Sequence, residues 1–220
     1  MVKIYLVRHC EALGNVMGIF QGTTDCDITE KGAVQLEYLK ERFKDIHINK
    51  AFSSPLLRAV KTAKAVIGER DIPITPMKEF IEVYAGFIEG KDFNETFEKY
   101  PELADIWDNN PEDFAPEGAE PMREVYERVW RGINLLAGDP DNEGKTLIVA
   151  SHGAAIRCLV CRLIYGDIGR LKNTDWSGNT AVTLLNCEEG KITAEYINDT
   201  SHLPKEVAST YLRLLTVKED

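Results

Sequence analysis

The sequence predicts an α/β fold with a mainly parallel sheet and an antiparallel edge, on three observations. Short β-rich runs alternate with helical patterns along most of the 220 residues. One run, Thr146-Leu147-Ile148-Val149-Ala150, is apolar at almost every position, as a central strand covered on both faces must be. Two runs near the end, 180–185 and 191–197, flank Asn186-Cys187-Glu188-Glu189-Gly190 and read as an antiparallel hairpin.

The elements follow in order. Val2 to Val7 forms the first strand, and Thr29-Glu30-Lys31 opens an amphipathic helix through Lys44 with Thr29 as its N-cap. Ala51-Phe52-Ser53 is a short second strand. Pro55 then fits an early helical position, where its missing N–H is not needed, and the helix continues through Ala59, Ala63 and Val66. Ile72 to Thr75 is the third strand. A helical pattern over Glu120 to Leu136 precedes the central strand, the Ser151-His152-Gly153 turn starts the next helix, and Leu203 to Leu215 is weakly helical. The segment from Tyr84 to Gly118 breaks this rhythm. It concentrates aromatics (Phe87, Phe93, Phe97, Trp107, Phe114) and repeats acids at helical spacing, which predicts a helical cap of about residues 84–118 inserted into a single domain spanning 1–220.

Composition excludes several classes. No apolar stretch approaches the roughly 20 residues that span a bilayer, and the first apolar run is too short for a signal peptide, so the chain reads as cytoplasmic with no membrane partner. Five cysteines are an odd number and favour reduced thiols over a disulfide framework. Cys158 and Cys161 have metal-like spacing, but they sit in an apolar helical pattern with no second ligand pair, so they are expected to be buried free thiols. The net charge of −10 is concentrated between Asp92 and Met122, where ten acids face one base, Lys99. A nucleic-acid partner would require a basic stripe, and the sequence has none.

The chemistry lies at strand ends. Arg8-His9 closes the first apolar run, at the end of a strand where open α/β sheets bind ligands. Arg58 follows Ser53-Ser54-Pro55, Glu82 follows Phe80-Ile81, and His152 follows the central strand. A phosphate monoester is a dianion, and an enzyme acting on it mainly needs positioning and cationic clamping. The arginines supply planar donors. One histidine is expected to be neutral, to attack phosphorus, and the other cationic, to bind it. Glu82 is the available acid for the leaving alkoxide, and burial or a nearby dianion must favour its protonated form. His47 and His202 lack motif context and read as surface residues, while Lys61, Arg157 and Arg162 read as flanks of helices.

The runs Leu6-Val7-Arg8-His9-Cys10-Glu11, Asn15, Gln21-Gly22, Ser54-Pro55-Leu56-Leu57-Arg58-Ala59, Glu82 with Gly86 and Glu89-Gly90, and Ser151-His152-Gly153 together resemble the histidine phosphatase superfamily, the phosphoglycerate mutase-like family. The resemblance runs in order from Ile4 to about Leu185. It implies a three-layer α/β/α sandwich in which His9 is transiently phosphorylated, Glu82 donates and recovers a proton, and Arg8, Arg58 and His152 hold the phosphoryl oxygens. Asn15, Gln21, Gly22 and Gly153 would line the same pocket, and no metal or organic cofactor is implied. The sequence departs from the family pattern at Cys10, usually glycine, and at Ala12, usually Ser or Thr. Cys10 either crowds the phosphate loop or faces the core, and an exposed thiolate there would be sensitive to oxidation.

The leading expectation is therefore a phosphatase that hydrolyses a small phosphorylated metabolite through phosphohistidine. Family mutases carry Glu-Arg-x-Tyr and a later Arg-Arg pair; this chain has Glu82-Val83-Tyr84-Ala85 and no adjacent arginines. A phosphoglycerate mutase and a non-catalytic phosphate-binding protein remain the alternatives. The acidic cap suggests a substrate whose remainder is neutral or cationic. Monomer and homodimer are both open.

Overall fold

The computed structural model of the chain describes residues 1–209. Six strands form one sheet: β1 (Val2–Arg8), β2 (Lys50–Ser53), β3 (Ile74–Pro76), β4 (Thr146–Ser151), β5 (Val182–Glu188) and β6 (Lys191–Asp199). Their order is β3-β2-β4-β1-β5-β6. The first four in that order run parallel, and the β5–β6 hairpin adds an antiparallel edge beside β1. The helices are α1 (Leu13–Met17), α2 (Glu30–Phe43), α3 (Leu57–Ile67), α4 (Phe93–Lys99), α5 (Pro101–Asn109), α6 (Met122–Gly138) and α7 (Gly153–Tyr165).

The three layers follow from the pleat. Alternate residues of β4 enter opposite cores: Leu147 and Val149 join Ile4, Leu6, Val129 and Ile133 on the α6–α7 side. Ile148 and Ala150 join Val7, Leu39, Phe43 and Val66 on the α2–α3 side. Each fully buried Leu, Ile or Val contributes about 1.5–3 kcal/mol of transfer free energy. With both faces covered in this way, β4 is fixed between β2 and β1.

Local signals explain most boundaries. The Thr29 hydroxyl accepts the Gly32 N–H at 2.9 Å and caps α2. α3 begins two residues later than Pro55 suggests, because Leu56 stays extended and the Leu57 N–H is taken by Asp25 Oδ1 at 2.8 Å. β3 starts at Ile74 instead of Ile72, whose N–H closes a turn onto Arg70 O. Within 84–118 the chain forms α4, α5 and two 3-10 turns. Their Phe93, Phe97, Trp107 and Phe114 gather around Phe20, with ring centroids 3.8 to 6.3 Å away. Of the expected helix from Leu203 to Leu215, the part through Ser209 is a series of turns, and the rest lies outside the described residues. Among the described residues no helix is long and apolar enough to cross a membrane.

Candidate active site

The parallel register sets Arg8 beside Ser151, so the ends of β1 and β4 emerge together, and the His9 N–H donates to Ser151 O at 2.9 Å. A cavity of about 1430 Å³ opens there. Arg8, His9 and Glu82 line it, as do Asn15, Gln21, Gly22 and Gly153. Arg58 and His152 are buried and do not line it, although the His152 ring lies beside that of His9, with the two imidazole centroids 5.1 Å apart.

His9 is held as a neutral ring. Its Nδ1 lies 2.6 Å from the Cys10 carbonyl, so Nδ1 carries the proton and Nε2 the lone pair. Burial, then the charges of Arg58 and Arg8, push its pKa well below the ordinary 6.5, against the pull of the Cys10 carbonyl. Asn179 fixes the backbone from the other side by donating to His9 O at 3.0 Å. His152 departs from the expectation of a resident cation. Burial, followed by Arg58 and His9, drives its pKa well below 6.5 too. Its Nε2 lies 2.7 Å from Ser54 Oγ, while Nδ1 is buried without a hydrogen-bond partner. Burial and the neighbouring arginines thus favour the neutral form of both rings.

The arginines divide the work differently from the expectation of two equivalent clamps. Arg8 lines the cavity and donates to Ser177 O. Arg58 directs Nη1 to Thr24 O and Nη2 to Gln21 O and Gly22 O, at 2.8 to 3.0 Å, leaving a buried Nε without a partner. It therefore shapes the 21–24 loop as well as lending its charge. That loop passes so close to the Glu82 segment that a Cβ on Gly22 would lie 2.2 Å from Val83 O. Glu89 ties the two together, accepting from Thr24 N and Oγ1 at 2.7 Å and from Ala85 N at 3.0 Å. Both amide atoms of Gln21 are buried without partners at the cavity wall. The Asn15 side-chain Oδ1 accepts the Ala12 N–H at 2.9 Å, which closes the first turn of α1 and leaves the side-chain NH2 as the donor.

The Glu82 carboxylate sits at the N-terminus of α7. It accepts from Val83 N at 3.0 Å, Ala154 N at 3.0 Å and Ala155 N at 3.1 Å. Three backbone N–H groups, two of them from the first turn of α7, thus fix the carboxylate in position.

Cys10 faces the core. It is fully buried, its N–H donates to Thr62 Oγ1 at 3.1 Å, and burial pushes its thiol pKa up to about 12. The exposed thiolate considered from sequence is thereby excluded. Sequence reasoning missed Arg157, which is buried and donates to Thr174 O and Leu171 O. It lies over the Trp176 ring on the cavity wall, one helical turn beyond Gly153. Lys31, which pairs with Glu11 at 3.7 Å, and Lys172 and Asp175 also line the cavity. Of the acids between 92 and 122, only Asp108 lines it, and most of the others are exposed to solvent. His202 is not a simple surface residue: its ring bridges Arg42 and Thr180 Oγ1. Among the described residues no group of three or more His, Cys, Asp or Glu could hold a metal ion.

Known proteins carry the same architecture. The family model for histidine phosphatase superfamily (branch 1) matches residues 4–200. Phosphoserine phosphatase 1 of Hydrogenobacter thermophilus is 30% identical over 206 residues, covering 92% of this chain and 95% of that protein. An adenosylcobalamin/alpha-ribazole phosphatase of Salmonella typhimurium is 28% identical over 163 residues, 74% of this chain and 80% of its own length. The solved structure of Bacillus stearothermophilus YhfR superposes with a TM-score of 0.86 at 27% identity, over 92% of this chain and 99% of that one. With a family match over nearly the whole chain and a phosphatase aligned along almost all of it, the chain belongs to the histidine phosphatase superfamily and is one of its phosphatases.

Proposed function

We propose that the chain hydrolyses a small phosphate monoester by way of phosphohistidine at His9. The observation that carries this is the neutral His9 ring, whose Nδ1 is engaged by the Cys10 carbonyl while the lone pair sits on Nε2 within the cavity. Nε2 attacks phosphorus as the ester P–O bond breaks, and Glu82 gives its proton to the departing alkoxide. Water then attacks the phosphohistidine and returns a proton to Glu82, releasing inorganic phosphate and restoring the ring. Arg8, the Arg58 Nε and His152 stabilise the phosphoryl oxygens, together with Gln21, Asn15 and the backbone near Gly22 and Gly153. Each preorganised donor of this kind is worth roughly 10²–10³ in rate, and the acid about 10²–10⁴.

The cavity lining carries both signs, with Lys31, Arg157 and Lys172 against Glu11, Asp108 and Asp175. A zwitterionic remainder suits that lining better than the neutral or cationic one expected from the cap. Serine is such a remainder, and phosphoserine is the substrate in the name of the Hydrogenobacter relative. Reduced thiols and a phosphorylated metabolite favour the cytoplasm. The test is phosphate release from a panel of phosphoserine, glycerol phosphate and a bisphosphate. The proposal expects monoesters, phosphoserine first, to turn over best, and His9→Ala to lower the rate at least about 10³-fold. Phosphoryl transfer between positions of the bisphosphate without net phosphate release would replace hydrolysis with the mutase reading.

A further inference from the structure

We infer that Arg128 is a positioning residue for Glu82, acting through the carbonyls of the segment that presents it; this rests on Glu82 being the proton donor. Arg128 lies on α6, is 9% exposed and does not line the cavity. All five of its N–H donors have acceptors. Nε and one Nη2 proton go to the two Glu120 oxygens, at 2.6 and 2.8 Å. The Nη1 pair goes to Glu79 O at 2.9 Å and Ile81 O at 2.7 Å, and the other Nη2 proton to Glu82 O at 3.3 Å.

The carbonyl that Arg128 skips is held by another side chain, since Ser151 Oγ donates to Phe80 O at 2.8 Å. Four consecutive carbonyls, 79 to 82, are therefore fixed by side chains rooted in α6 and at the end of β4. Gly132, one turn beyond Arg128, lets that segment lie against the helix: a Cβ there would be 2.7 Å from Glu79 Cβ and 2.9 Å from Phe80 Cζ. The Glu82 carboxylate is meanwhile held by the first turn of α7. Backbone and side chain of the acid are thus located independently, by two helices packed against each other. Such a frame matters because a proton donor displaced by about 1 Å can cost roughly 10²-fold.

Arg128 also bears on simple packing, so the test reads a quantity that packing alone does not move. The second-order constant kcat/KM, which stops at the first irreversible step, is measured for an alkyl ester (glycerol phosphate) and an aryl ester (p-nitrophenyl phosphate). An alkoxide needs the acid, whereas p-nitrophenolate leaves without it. Glu82→Gln should lower the alkyl constant at least about 100-fold and the aryl constant much less. Arg128→Lys, which cannot satisfy five acceptors, should lower the alkyl constant about tenfold and the aryl one less than about threefold. Glu120→Gln keeps Arg128 and its carbonyls but weakens the bidentate anchor. It should split the two constants in the same direction by a smaller factor, and it carries the test if Arg128→Lys does not fold. Equal losses on both esters in the folded variants, while Glu82→Gln separates them, would overturn the inference. No separation in Glu82→Gln would remove the proton-donor assignment, and the inference with it.

Discussion

The Nδ1 atom of His9 lies 2.6 Å from the carbonyl oxygen of Cys10, the next residue in the chain. A backbone contact this local survives substrate binding and product release, so the ring keeps one tautomer through the cycle. Burial, with two arginines nearby, also disfavours the charged form of the ring. Nitrogen-15 NMR of histidine-labelled protein should show His9 as a neutral ring protonated on Nδ1 that does not titrate near pH 6.5. An imidazolium signal for His9 at that pH would contradict the account.

The Gly22 contact predicts a backbone clash. A methyl group there meets Val83 O at 2.2 Å and Glu89 Oε2 at 2.6 Å, and the first of these cannot swing aside. Gly22→Ala should cost about 1–3 kcal/mol of stability, as overpacking does, and should lower activity by separating the 21–24 loop from Glu82. Urea unfolding together with phosphate release measures both.

The thiols differ in access. Cys26 is half-buried, while Cys10, Cys158, Cys161 and Cys187 are buried. Burial pushes the Cys10 pKa to about 12 and that of Cys187 to about 11. The native chain should therefore react quickly with one equivalent of a disulfide reagent, and with five after denaturation. Cys26→Ser should abolish the fast phase, and labelling at Cys10 in the native state would refute the burial argument.

His202 gives a pH dependence whose sign can be worked out. Burial, then Arg42, lowers its pKa from 6.5 to about 4. Between those values the unfolded chain binds a proton that the folded chain refuses, so its contribution to stability is intact above pH 6.5 and declines as pH falls toward 4. His202→Gln should flatten the Tm profile across that window relative to the parent. An unchanged slope would show that the ring titrates normally in the fold.

How much the sequence reveals depends on whether the signal is local. The apolar run ending at Arg8-His9, the Thr29 cap and the β-rich Thr146–Ala150 run each carry their structure in neighbouring residues, whereas the strand order β3-β2-β4-β1-β5-β6 is set by long-range pairing that no local signal announces. Arg157 was illegible because the helical pattern suggested an amphipathic flank, whereas α7 is buried on every side from Gly153 to Cys161. Its acceptors, the carbonyls of 171 and 174, belong to a turn that no periodicity announces. Arg58 was recognisable as part of the site, but its contacts with the carbonyls of 21, 22 and 24 depend on how a loop folds back. Cys10 could be resolved only by seeing which way its side chain points.

The most direct measurement of the central claim is rapid acid-free quenching of the enzyme with a radiolabelled monoester, followed by stability tests of the labelled protein. The account predicts a phosphoenzyme that is acid-labile and base-stable, forms faster than phosphate appears, and is absent in His9→Ala. Phosphate release at the parental rate from His9→Ala, or turnover with label never entering the protein, would contradict it.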